Sequence, residues 1–229
     1  MVYHLQQWLV ERLSVFNVLR YQTFRAMMAF LLVIALVLYF QPKFISWFRR
    51  KQIGQPIRDD GPQSHQIKQG TPTMGGVVVV LAVILATLLL ADLSNIYIWM
   101  TVLVTMAYGI LGFIDDFMKV RVKSSKGISA RQKLLGQIVI AACAVFGVVH
   151  LTPNFSTELT IPFIKNLSID LGFLFVPFAV LVVVGTSNAV NLTDGLDGLM
   201  IGPVMTTAFA YGIFSYVSGH FGIASYLHI

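Results

Sequence analysis

The chain has 229 residues, of which 56% are hydrophobic and 11% charged, less than half the roughly 25% charge of an ordinary soluble domain. Polar surface this sparse excludes a water-soluble globule and points to the bilayer as the main solvent. The formal charge of +6 does not indicate a nucleic-acid binder, because the cations gather in short connections between apolar runs, where membrane orientation accounts for them.

At the start of the chain, Leu5, Trp8, Leu9, Leu13 and Phe16 recur at helical spacing while Gln6, Gln7, Glu11 and Arg12 take other faces. That pattern predicts a short helix lying in the membrane interface. No basic segment with a short apolar core and small-residue cleavage site precedes it, so no removable signal peptide is expected. Six long stretches free of Asp, Glu, Lys and Arg follow, at residues 26–40, 73–91, 93–114, 134–151, 171–186 and 199–217. Each predicts a transmembrane helix, since lipid leaves an open sheet edge unsatisfied. The fold class is therefore an all-α polytopic membrane protein, read as one integral membrane domain over residues 1–229 with six spans. Ala91-Asp92-Leu93-Ser94-Asn95 is a polar break suited to a tight helical hairpin between the second and third spans. Cys143, inside the fourth, has no cysteine partner and reads as a small buried side chain.

Twelve of the sixteen Lys and Arg residues lie between spans one and two or between spans three and four. The positive-inside rule places both connections in the cytoplasm and both chain ends outside. Arg12, Arg20 and Arg25 pull the other way and are outvoted.

Four acidic residues, Asp115, Asp116, Asp194 and Asp197, fall at the cytoplasmic ends of spans three, five and six on this topology. A carboxylate bordering hydrocarbon is costly unless paired, hydrated or bound to metal, so these positions are functional candidates. Adjacent Asp115 and Asp116 repel one another unless a cation lies between them, and oxygen-only ligands suit a hard ion such as magnesium. The alternative is that the pair only stops the span and binds Lys119 or Lys123.

In residues 188–198, Asn188, Asn191, Asp194 and Asp197 repeat every third position around Gly195 and Gly198. Each step turns a helix position by about 300°, so the four face one cleft only if the segment bends. A helix end, a tight turn and a new helix capped near Thr193 or Asp194 are expected. Residues 68–76 contribute Lys68, Thr71, Pro72, Thr73 and two glycines ahead of span two, with Pro72 in the first helical turn and Thr71 as its cap. The N-termini of spans two, four and six would together present free N–H groups to phosphate. The basic loop over residues 119–133, with Lys126 and Lys133, adds a positive field. His65 beside Asp59 and Asp60 reads as a solvated loop residue.

In order and spacing, the motifs at residues 70–76, 112–119 and 188–198 resemble the phospho-N-acetylmuramoyl-pentapeptide transferase family, MraY, over almost the whole chain. The resemblance implies a magnesium-dependent transferase of the bacterial inner membrane, working at the cytoplasmic face. It would move phospho-N-acetylmuramoyl-pentapeptide from its UDP carrier to undecaprenyl phosphate, forming lipid I and releasing UMP in peptidoglycan synthesis. By the same resemblance Asp115 and Asp116 are the catalytic pair near Mg2+. Lys68, Thr73, Asn188, Asn191, Asp194, Asp197, Lys126 and Lys133 then belong to the substrate cleft, and a homodimer is implied. The family has ten spans, a further magnesium-binding aspartate and a histidine-rich motif, which do not occur before Ile229. The chain is accordingly expected to be an N-terminal portion, inactive or nearly so by itself. The alternatives are another polyprenyl-phosphate N-acetylhexosamine-1-phosphate transferase, or a non-catalytic transport or assembly subunit.

Overall fold

The computed structural model describes residues 2–51, 74–122, 127–153, 155–161, 164, 167–193 and 198–227. The chain forms two compact units, Met1–Val180 and Leu181–Ile229.

The first unit begins with α1, Val2–Arg12, as the apolar spacing predicts. It ends earlier than the spacing suggests: Leu13 is extended at φ −145 and ψ 115, and a 3₁₀ segment covers Ser14–Arg20. Helix α2, Gln22–Arg50, has 29 residues, about 43 Å at 1.5 Å per residue and longer than a hydrocarbon core of about 30 Å. Pro42 lies inside it, where the missing N–H and the ring weaken the bond to the preceding turn. Beyond Pro42 the rings of Phe44, Trp47 and Phe48 cluster, with centroids 4.4 Å apart for Phe44 and Phe48 and 5.1 Å for Trp47 and Phe48.

Helix α3, Gly76–Leu90, packs against α2. Ala82, Ala86 and Leu90 recur every four residues and are all buried, so small side chains let the helices approach closely, the usual device where no hydrophobic effect drives association. The helix starts at Gly76 rather than Thr73 because buried Met74 takes the left-handed conformation, φ 65, which an α-helix cannot continue through. At 15 residues α3 is short for a full crossing.

Helix α4, Ile96–Val122, follows the predicted polar break. Asp92 Oδ1 accepts from Ser94 N (3.0 Å), Asn95 Oδ1 from Tyr97 N (2.9 Å), and the Trp99 indole donates to Leu93 O (2.8 Å). Short polar side chains that bond their own backbone two residues on are what turn a chain this tightly. Helix α5, Ala130–Leu151, returns alongside α4. A Cβ at Gly136 would come 3.2 Å from Leu111 and one at Gly147 2.9 Å from Met100, Ala141 is fully buried, and Tyr108 donates its hydroxyl to Gln137 O at 3.2 Å.

The connection that follows carries a short β-ribbon. Strands β1, Glu158–Thr160, and β2, Ser168–Asp170, pair antiparallel with Leu159 opposite Ile169. The Asp170 carboxylate closes this ribbon, accepting from the Thr157 hydroxyl and from Gly172 N. Gly172 opens a short 3₁₀ turn that leads into α6, Phe175–Thr193.

The second unit holds α6 from Leu181 onward, then α7, Ile201–Gly219, and α8, Phe221–Leu227. Helices α2, α4, α5 and the stretch Gly172–Thr193 are long and apolar enough to cross a membrane. Helix α7 has the length, but Thr206, Thr207, Ser215 and Ser218 dilute its apolarity. Large apolar side chains such as Met27, Phe30, Leu38 and Leu181 stay exposed along the spans, as lipid-facing residues do. Each of the six predicted stretches contains a helix, four of them long and apolar enough to cross a membrane among the described residues, and the molecule is an all-α multi-pass membrane protein.

Candidate functional site

Asp115 and Asp116 fall on the last turns of α4, where a helix leaving an apolar stretch first meets polar surroundings. Asp115 is buried. Lys119, four residues on from Asp115 and three from Asp116, stands over both on the same helix face. Its Nζ is 2.9 Å from Asp115 Oδ2 and 3.0 Å from Asp116 Oδ1. Lys133, in the first turns of α5, brings a second ammonium to 3.7 Å from Asp115 Oδ2. The other oxygen, Asp115 Oδ1, accepts from Ile128 N at 3.0 Å.

The backbone of residues 127–129 is fixed in that position from two sides. Ser129 caps α5: its Oγ accepts from Gln132 N at 3.3 Å, while Gln132 Oε1 accepts from Ser129 N at 3.2 Å, a reciprocal box that sets where the helix begins. Gly127 sits so close to Asp115 that a Cβ there would collide with the carboxylate and come 3.0 Å from the Asp115 carbonyl oxygen. A protein carboxylate thus lies before the N-terminus of α5, where the sequence suggested phosphate. Negative charge at a helix start is favourable in either case.

Of the predicted site residues, Asp115, Asp116 and Lys133 come together. Pairing with Lys119, which the sequence offered as the alternative, holds in this arrangement. Lys119 and Arg121 lie within α4 and Arg131 and Lys133 within α5, so the expected basic loop over residues 119–133 is shorter than predicted. Long basic side chains are good helix formers and carry their charge out to the boundary.

Asn188 and Asn191 lie in the last turns of α6, in the second unit. Asn188 donates Nδ2 to Val184 O at 2.9 Å, and Asn191 is exposed. Thr193 is not the cap of a new helix. Thr193 closes α6, its hydroxyl bonding back to Ala189 O at 2.8 Å, and α7 starts at Ile201 after Gly198 at φ 82. Lys68, Thr71, Pro72, Thr73, Lys126, Asp194, Asp197 and His65 lie outside the described residues.

Sequence reasoning missed Gly127 and Ile128, which shape the Asp115 site. It also missed Gln41, whose amide occupies the space beside Gly75 that a Cβ would need and whose Oε1 is buried without a partner among the described residues. The Ser129-x-x-Gln132 box was the available signal. It marks the start of α5 and leaves Gly127 and Ile128 in the turn facing the end of α4.

The donors suit a hard cation only in part. Asp115 and Asp116 are oxygen ligands of the right kind, but the described residues contain no group of three or more His, Cys, Asp or Glu. Both oxygens of Asp115 already have partners, whereas the Asp116 side chain is 34% exposed.

The helices and this charged end define a multi-pass membrane protein that concentrates carboxylates and ammonium groups at one membrane boundary. Residues 98–229, more than half of the chain, match the model of glycosyl transferase family 4, and the chain belongs to that family. Residues 68–80 match phospho-N-acetylmuramoyl-pentapeptide-transferase signature 1. Similar along all 229 residues are proteins named phospho-N-acetylmuramoyl-pentapeptide-transferase from Maridesulfovibrio salexigens (47% identical), Solidesulfovibrio magneticus (48%) and Citrifermentans bemidjiense (48%). The chain spans 64%, 63% and 64% of their respective lengths.

Proposed function

We propose that this chain is the N-terminal part of an enzyme that transfers phospho-N-acetylmuramoyl-pentapeptide from its UDP carrier to undecaprenyl phosphate, releasing UMP and forming lipid I for peptidoglycan. The observation that carries the reading is the pair Asp115 and Asp116, gathered under Lys119 and Lys133 at a membrane boundary, in a family 4 chain that also bears the transferase signature. The relatives' names and their identity over all 229 residues support the choice of substrates. In the complete enzyme the chain makes six crossings of a bacterial inner membrane, with Asp115 at the cytoplasmic face, and pairs with a second copy.

Lys119 and Lys133 supply positive charge where a pyrophosphate would arrive, which lowers the cost of charge developing as the bond to UMP breaks. Asp116, the more exposed carboxylate, is the group placed to orient or deprotonate the attacking lipid phosphate. Asp115 holds the lysines and the 127–129 turn in register. Asp116 and Asp115 are the residues that would hold Mg2+, which when bound would supply further charge neutralisation on the phosphates. Lys68, Thr73, Lys126, Asn188, Asn191, Asp194 and Asp197 would complete the cleft for the nucleotide sugar.

UMP release by the complete enzyme tests this reading. It should proceed with UDP-N-acetylmuramoyl-pentapeptide and not with UDP-N-acetylglucosamine, stop on chelation of Mg2+, and fall by about 10²-fold or more in Asp116→Asn. Equal turnover of both nucleotide sugars would move the chain to a different polyprenyl-phosphate transferase. Undiminished turnover in Asp115→Asn and Asp116→Asn would remove the carboxylate pair from the chemistry.

A further inference from the structure

The β1–β2 ribbon has two unlike faces. Directly opposite residues of an antiparallel pair share a face and successive residues alternate, so Leu159 and Ile169 lie on one side, while Glu158 with Asp170 and Thr160 with Ser168 lie on the other. Ile161 N donates to Leu167 O at 3.1 Å, which carries the register onward and adds those two residues to the aliphatic side. Among the described residues that side is open: Leu159, Leu167 and Ile169 are 36%, 42% and 49% exposed. A two-stranded ribbon is marginal in water by itself and needs its apolar face covered.

The helices that flank the ribbon fix what lies beneath it. Helix α5 starts beside Asp115 and ends at Leu151, on the way to β1, and the membrane-length stretch Gly172–Thr193 begins two residues after β2 ends at Asp170. Two residues span at most about 7 Å, so the ribbon is held at the membrane boundary opposite the carboxylate site. Phe155 stacks edge-on against Phe175, ring centroids 5.1 Å apart, and ties the entry of the connection to its exit. Phe173 and Leu174, at the opening of that stretch, are 87% and 51% exposed, so the aliphatic face leads directly into side chains that meet lipid. The opposite face carries Glu158 and Asp170, whose charge would be repelled by headgroup phosphates and favours water.

We infer that the ribbon is a membrane-surface anchor, lying flat on the bilayer with Leu159, Ile161, Leu167 and Ile169 among the first acyl carbons and its acidic face toward water. The backbone limits how deep it goes. The outer edges of both strands carry N–H and C=O groups that water and headgroups satisfy and hydrocarbon does not, which sets an interfacial depth of about 5–10 Å at the headgroup and acyl boundary. Such an anchor holds the α5–α6 connection against lipid whatever reaction the other boundary performs.

Spin labelling of the protein in phosphatidylcholine vesicles tests it. In a Cys143→Ser background, nitroxides are attached to the single-cysteine variants Leu159→Cys, Ile169→Cys, Thr160→Cys and Ser168→Cys. Each label reports collisions with oxygen, which concentrates in lipid, and with a water-soluble nickel chelate. All four positions are exposed, so the substitutions leave the fold intact. Oxygen should dominate at positions 159 and 169, at the interfacial depth given above, and the nickel chelate at positions 160 and 168. Dominance of the nickel chelate at 159 and 169 would put the aliphatic face in water. Few collisions with either reagent there would put it against another protein or a second copy of this chain. Either result overturns the proposal.

Discussion

Asp115 is held from three directions by three different pieces of chain: Lys119 on its own helix, Lys133 on the next, and Ile128 N in the turn between them. Gly127 leaves room for this convergence. A methyl group at that position would collide with the carboxylate and press on the Asp115 carbonyl oxygen, a backbone atom that cannot rotate aside. Gly127→Ala is therefore expected to cut UMP release by the complete enzyme at least about tenfold while leaving the amount of folded protein near normal, since the loss is one of positioning. Unchanged turnover, measured beside Gly136→Ala as a packing control, would show that the turn can shift freely. Asp115 and Asp116 were legible in the sequence because charge beside an apolar run is costly, and their link to Lys119 followed from i+3 and i+4 spacing. Gly127 and Ile128 were not legible: their role comes from a turn folding back over thirteen residues, which no periodicity records.

At the level of elements, composition located the helices well and their ends poorly. Apolar windows found all four helices that are long and apolar enough to cross a membrane among the described residues, because burial in lipid is written in residue type. The ends depend on local bonds, such as the Ser129 cap that starts α5 at Ala130 inside a basic stretch, or the left-handed Met74 that delays α3 to Gly76. The β1–β2 ribbon was hidden for a similar reason, since three-residue strands carry too little pattern to read. Its closing carboxylate has a testable consequence. The Thr157 hydroxyl and Gly172 N–H stabilise the charged form of Asp170 and hold its pKa below the ordinary 3.8. A lowered folded-state pKa contributes stability that is present above the unfolded value and lost as pH falls through the folded one. Hydrogen exchange in residues 158–160 and 168–170 should thus show constant protection at pH above about 4 and weakening protection as pH drops further. Asp170→Asn should abolish that dependence, and an unchanged profile in the variant would place the titration elsewhere.

For the molecule as a whole, orientation was read from the distribution of cations and has a direct check. With Cys143 replaced by serine, a cysteine at position 94 should react with a membrane-impermeant maleimide on intact cells. One at position 51 should react only after lysis. The reverse pattern would turn the Asp115 site to the outside and remove it from a cytoplasmic nucleotide. What the sequence could not convey at this scale was that residues as far apart as Tyr3 and Ile98 line one cavity.

Helix α2, overlong and interrupted at Pro42, bears on how the protein meets membranes of different composition. A straight rod about 43 Å long must tilt or distort the lipid around it, at a cost that grows with every ångström of mismatch. A proline two-thirds of the way along lets the aromatic third swing toward the headgroups while the rest stays upright. The helix can then adjust to a thinner or thicker bilayer without levering the α3 packing, leaving Arg20 and Arg25 at one face largely insulated from changes in lipid thickness at the other.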